Sequence, residues 1–167
     1  MQTIRYELIP AQGTEGQVAV ITFDETNSPV NTMCRQWQQE LGEVTAQVLG
    51  DRERLGTALK GIVLASAKTS FFAGADLKAT MRLTPGDAPA VFGEIERMKK
   101  HFRTLETLGL PVVACLNGAA LGGGWEVALV AHYRIAVADP KIQFGLPEVT
   151  LGLMPGATGV TKMTRLL

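Results

Sequence analysis

The sequence predicts an α/β fold with crossover connections. Three observations carry that prediction. Short β-rich apolar runs recur along the chain: VAVITF at 18–23, GIVLAS at 61–66 and VVACL at 112–116. Two long stretches between them place apolar residues at helical spacing. Glycine, proline and asparagine clusters punctuate the joins. With 167 residues the chain is long enough for one domain, because a chain of about 150 residues buries roughly 68–70% of its unfolded surface.

Thr3 to Ile9 alternates and reads as a first strand. The turn cluster at 11–16 joins it to Val18–Phe23 as a hairpin. After a polar loop at 24–29, a helix begins with Asn31 or Thr32 as its cap. Met33, Trp37, Leu41, Val44 and Val48 form its buried face, and Gly50-Asp51 ends it. Gly61–Ser66 is continuous and apolar, as in a buried parallel strand. SFFAGAD at 70–76 then breaks into a loop. Asp87 caps a long helix to Leu108 that buries Val91, Ile95, Met98, Phe102 and Leu105. Gly109 and Pro111 stop it. The strand Val112–Leu116 turns at Asn117-Gly118 and runs into Gly122-Gly123-Gly124, which opens a helical stretch carrying Glu126. Thr158 starts a final helix, which reaches Arg165-Leu166-Leu167 without a cap and reads as a cut inside an element. Repeats, low-complexity tracts and linkers are not evident, so residues 1–167 are read as one domain.

Charge excludes several functions. Sixteen basic and sixteen acidic residues cancel, which gives no electrostatic ground for nucleic acid or a membrane surface. The apolar runs are too short for a membrane span, and MQTIRYELIP is no secretory signal. Cys34 and Cys115 read as reduced, buried thiols, so a cytoplasmic location is the default. His101 sits among Lys99, Lys100 and Arg103 and reads as part of a solvated face. Neither His nor Cys has a partner at ligand spacing, so no metal is expected.

The candidate chemistry lies between 111 and 159. A dinucleotide fingerprint needs a sixth-position glycine, and counting from Gly122 that position is Val127. A phosphate-binding loop needs Gly-Lys, and Gly124 precedes Trp125. What remains is a glycine turn whose amides can stabilise a developing oxyanion at a helix start. Close helix–strand packing is the commoner use of such glycines on spacing alone. Glu126 and Glu148, separated by 22 residues, are the acid–base candidates. Taken singly, they read as a helix-start acid and a surface loop acid.

FFAGADLK at 71–78, NGAALGGGWE at 117–126 and FGLPEVTLGLMPGATG at 144–159 resemble the crotonase (enoyl-CoA hydratase/isomerase) superfamily. TNSPVNTM at 26–33 resembles its early substrate-side loop, and YRIAVADPKIQFGLPEV resembles the hydratase portion of multifunctional fatty-acid oxidation enzymes. The resemblance implies a crotonase-like α/β spiral of ββα units whose C-terminal helices fall beyond this chain. It implies a trimer or larger assembly, or a place in a multifunctional β-oxidation complex. The substrate would be an acyl-CoA thioester. No cofactor would be bound, coenzyme A being part of the substrate, and NAD would enter only if a dehydrogenase portion follows.

By position, Ala75 and Gly123 resemble the two oxyanion-hole donors, and Glu126 and Glu148 the two carboxylates. Gly156 resembles the water-positioning amide. Ala73, Asp76, Leu77 and Lys78 resemble the wall that receives coenzyme A. The expected reaction is addition of water across the 2,3 double bond, with Glu126 as base and Glu148 as the proton source for C2. The rivals are a Δ3-Δ2-enoyl-CoA isomerase working on Glu148 and a non-catalytic acyl-CoA-binding module. Departures from the family pattern are Trp125, which either narrows the acyl channel or packs behind it, His132, read as a structural change, and Thr158 in a run of small residues.

Overall fold

The computed structural model describes residues 1–166, so the last residue of the uncapped end lies outside the described residues. β1 (Ile4–Pro10) and β2 (Gln17–Phe23) form the hairpin, with Ile4 opposite Phe23 and Pro10 opposite Gln17. The first strand thus lies one residue later than the alternation suggests. β2 then pairs in parallel with β3 (Leu59–Ser66), and β3 with β4 (Val112–Leu116). β5 (Ala120–Leu121) leaves this sheet, while β6 (Tyr133–Ala136) returns to pair in parallel with β4. The five-stranded order is β1-β2-β3-β4-β6. β5 pairs with β7 (Phe144–Gly145) in a small second sheet, and Phe72 bridges to Ala120 beside it.

Side-chain parity decides the core. Ile21, Phe23, Ile62, Leu64, Val112 and Ala114 point to the buried face, where Trp37, Leu41 and Val44 of α1 (Arg35–Leu55) and Phe102 and Leu105 of α3 (Ala88–Thr107) cover them. The alternate residues Val18, Val20, Val63 and Val113 are only half-buried. At the centre, Phe72 meets Phe23 and Trp37 edge-on, with ring centroids 5.3 and 5.2 Å apart. Such pairs contribute about 0.5–1.5 kcal/mol beyond area burial. They matter here because Phe71 and Phe72 lead directly into the site loop.

Several sequence expectations need correction. Cys34 caps α1, its Sγ accepting from the Trp37 amide at 3.5 Å. Asn31 is not available as a cap because its side chain is turned inward. α1 also runs through Gly50-Asp51 to Leu55 and ends at Gly56 with φ 54°. One internal glycine costs a helix only about 1 kcal/mol, and the Tyr6 hydroxyl anchors Asp51 at 2.6 Å. Asp87 precedes α3, but its carboxylate accepts from the Thr84 amide and hydroxyl at 2.8 and 2.7 Å. That closes the preceding 3-10 turn (Pro85–Asp87) and makes no side-chain cap on α3. Val91 and Ile95 are half-buried, and the buried residues of α3 are Met98, Phe102 and Leu105 in its second half. His101 is not on a solvated face. Its ring lies in the α1–α3 seam, with Nε2 3.3 Å from where a Gly42 Cβ would be. Both thiols are free but half-buried.

Candidate active site

Two loops converge at the end of the parallel strands. The first, 71–76, leaves the core through Phe71 and Phe72, whose amides both bond the Ala119 carbonyl. Asn31 fixes its approach. The buried amide of Asn31 donates from Nδ2 to the Phe71 carbonyl (3.2 Å), the Phe23 carbonyl (3.3 Å) and Ser66 Oγ (2.9 Å), while its Oδ1 accepts from the Glu25 amide. The Asn31 carbonyl takes the Ala73 amide, and the Gly74 carbonyl takes the Met33 amide, both at 2.9 Å. Gly74 turns at φ 104°, and a Cβ there would lie 2.9 Å from the Leu121 carbonyl oxygen. The second loop ends at Gly122, in a positive-φ conformation (56°), and starts α4 (Gly123–Ala128). A methyl built on Gly123 would stand 3.5 Å from the Ala75 amide nitrogen and 2.7 Å from Met33 Sδ. Among the described residues, neither the Ala75 nor the Gly123 amide donates a hydrogen bond within the chain. The expected pair of donors is therefore brought together with its N–H groups uncommitted.

The two acids are also brought together, in unequal surroundings. Glu126 is 3% exposed. Its Oε1 accepts from the Ala157, Thr158 and Gly159 amides at 2.9, 2.8 and 2.6 Å. These amides open α5 (Gly159–Leu166), whose dipole favours a negative charge there. An oxygen saturated by three donors has no lone pair left for a proton, so proton exchange at Glu126 falls to Oε2. Glu148 opens a 3-10 turn (Glu148–Leu151) and is not a free loop acid. Its Oε1 lies 3.1 Å from where a Gly122 Cβ would be, and its Oε2 is buried without a hydrogen-bond partner. Burial pushes the Glu148 carboxyl above the ordinary range, and the negative charge of Glu126 adds to the rise. Two neighbouring carboxyls, one saturated with donors and one short of them, form a pair suited to opposite proton tasks.

The remaining expected residues take outer positions. Asp76 caps the single turn α2 (Leu77–Thr80), accepting from the Ala79 amide at 3.1 Å. Ala73, Leu77 and Lys78 are exposed on that rim. Gly156 is exposed near Ile95, and the amides that hold Glu126 come from the three residues after it. Sequence reasoning missed this triple grip. Its signal was the small-residue run PGATG immediately before a helix. Trp125 stacks on Phe144 (5.5 Å, 23°) and donates from Nε1 to Met163 Sδ at 3.0 Å, so it packs behind the acid. His132 Nδ1 accepts from the Val112 amide at 3.0 Å, a strand-end role. The Asp139-Pro140 segment is a turn, with Ile142 donating to the Asp139 carbonyl. Among the described residues there is no cluster of three or more His, Cys, Asp or Glu that could hold a metal, and no helix long and apolar enough to cross a membrane. A cavity of about 660 Å³ lies between α3 and α5 and is lined by neither acid.

This architecture is the crotonase-like α/β fold. It superposes over 99% of the chain on the crystal structure of enoyl-CoA hydratase from Bacillus anthracis, with TM-score 0.77 and 28% identity, covering 58% of that chain. Pseudomonas aeruginosa DspI is similar at TM-score 0.77 and 25% identity, over 99% of this chain and 61% of that one. The family model described as enoyl-CoA hydratase/isomerase matches residues 13–167, and the chain belongs to that family. The fatty acid oxidation complex subunit alpha of Shewanella halifaxensis is 37% identical over 155 residues, and that of Shewanella baltica 39% over 152. Each match covers 90% of this chain, which spans only 20% of the relative's length.

Proposed function

We propose that this region hydrates a 2-enoyl-CoA in fatty-acid β-oxidation. The observation that supports it most is the inequality of the two carboxyls. Glu126, gripped through Oε1, takes a proton from water through Oε2 as the water oxygen bonds to C3. The C2–C3 π electrons move toward the thioester, whose carbonyl oxygen gains charge and is stabilised by the Ala75 and Gly123 amides. The enolate collapses as C2 takes a proton from Glu148, whose protonated form burial favours. The sum is addition of one water. Before the next cycle the proton on Glu126 leaves and Glu148 regains one from solvent.

The rim formed by exposed Ala73, Leu77 and Lys78 with half-buried Asp76 receives the coenzyme A portion, with Lys78 available to its phosphates, and the Gly156 amide helps place the water. The whole protein, like the relatives named subunit alpha, works within a larger β-oxidation assembly. A second reading, double-bond isomerisation, draws support from Glu148 alone, since a proton on an unpartnered oxygen can shuttle between C2 and C4. One experiment separates the two. Crotonyl-CoA and a 3-enoyl-CoA are each incubated with the protein in ¹⁸O water. The hydratase reading expects 3-hydroxyacyl-CoA labelled at C3 from the first substrate. Double-bond migration without label uptake supports isomerisation, and binding without either reaction supports a non-catalytic module.

A further inference from the structure

The three amides that grip Glu126 are only as fixed as the helix they open. α5 has eight residues, and isolated helices shorter than about 12–15 residues are marginal in water. Its orientation must come from contacts, and adjacent residues supply two. Met163 receives the Trp125 indole N–H at 3.0 Å, tying α5 to the helix that carries Glu126. Lys162 forms an ion pair with Glu106 on α3, and the two side chains are only 18% and 26% exposed. Arg103 holds the other oxygen of Glu106 at 3.0 Å. Burial works against the Glu106 charge, but Lys162 and Arg103 outweigh it and hold its carboxyl below the ordinary range. An ion pair this sheltered is screened less than an exposed one and constrains both helices.

We propose that Glu106 and Lys162 are positioning residues for the reaction: their ion pair sets α5 against α3 so that the 157–159 amides hold Glu126 Oε1 and leave Oε2 aimed at water. Neither residue touches Glu126. They act through the helix axis, and Met163 supplies the second fixed point. This rests on the hydratase reading for its kinetic consequence and on geometry alone for its structural one.

The test compares the wild-type protein with Lys162→Met, Lys162→Arg and Glu106→Gln in crotonyl-CoA hydration, amide hydrogen exchange and thermal melting. Lys162→Met keeps the aliphatic stem and removes the charge. Its kcat falls about 10- to 100-fold, the scale of a small misplacement of a reacting group, while KM stays within about twofold. Exchange at 157–159 quickens, and the acid limb of the pH–rate profile shifts. Lys162→Arg restores most of the lost rate, and Glu106→Gln reproduces the loss if Lys162→Met fails to fold. A lowered melting temperature with wild-type kcat, pH profile and exchange at 157–159 would overturn the proposal, leaving the pair merely structural. If the wild-type protein itself adds no water, the hydratase reading fails. Exchange at 157–159 then decides the positioning role: quickened in Lys162→Met it stands, unchanged it falls.

Discussion

Glu126 and Glu148 are the same residue type flanking one glycine turn, and they differ in how many donors reach them. Oε1 of Glu126 takes three amides, whereas Oε2 of Glu148 takes none. Because burial raises Glu148 first and the charge of Glu126 second, Glu148 stays protonated to higher pH than an ordinary carboxyl. Its acid role is then lost as pH rises through that raised value, giving an alkaline decline in hydration that Glu148→Gln abolishes along with most of the rate. In Glu126→Gln the second cause disappears. The ¹³C-detected titration of the Glu148 carboxyl therefore moves to lower pH, and an unmoved titration would contradict the coupling. The sequence marked both glutamates as acid–base candidates, and the family resemblance raised them above a helix-start acid and a loop acid. Their inequality was not legible, because the three donors come from residues more than thirty positions away from Glu126, and burial is invisible in a string of letters.

The central glycines serve an element-level purpose. A Cβ on Gly124 would meet the Phe72 carbonyl oxygen at 2.2 Å, whereas one on Gly123 meets the flexible end of Met33. Gly124→Ala forces backbone from backbone, so we expect loss of soluble folded protein or destabilisation of several kcal/mol, about the upper range for overpacking. Gly123→Ala folds with a small change in melting temperature but loses hydration rate, since its methyl lies beside the Ala75 amide. A melting comparison with kinetics on the same preparations checks both. Close packing and oxyanion donation were rival readings of these glycines. In the structure close packing falls to Gly124 and an uncommitted amide to Gly123, a division that spacing alone cannot express. The strands and long helices were legible because their periodicities are local. The ends of α1 were not. Asn31 looked like a cap by residue type, but its amide is used to bond three chain segments, a tertiary demand that outweighs capping preference.

At the scale of the molecule, a second buried acid ties the amino terminus to the fold. Glu40 accepts from the Gln2, Thr3 and Ile4 amides, the Thr3 hydroxyl and Gln36. Burial opposes its ionisation, but the donors from Gln2, Gln36 and Thr3 outweigh it and draw the carboxyl down from 4.5 to about 2. A depressed folded value means the contribution is present above pH 4.5 and is lost as pH falls toward 2. Glu40→Ala should cost about 3 kcal/mol or more at neutral pH by stranding several donors, and its melting temperature should depend less on pH in that window. Long-range ties of this kind, like the Glu106–Lys162 pair, lie outside what local sequence pattern can reveal. The α/β layout and the family were legible because each rests on runs of neighbouring residues.

Steady-state hydration of crotonyl-CoA by the wild-type and Glu126→Gln proteins decides whether Glu126 is the water base. With Glu126 as the water base, the variant should be slower by about 10²- to 10⁴-fold with substrate binding retained. Hydration at the wild-type rate by Glu126→Gln would show that another group takes the water's proton.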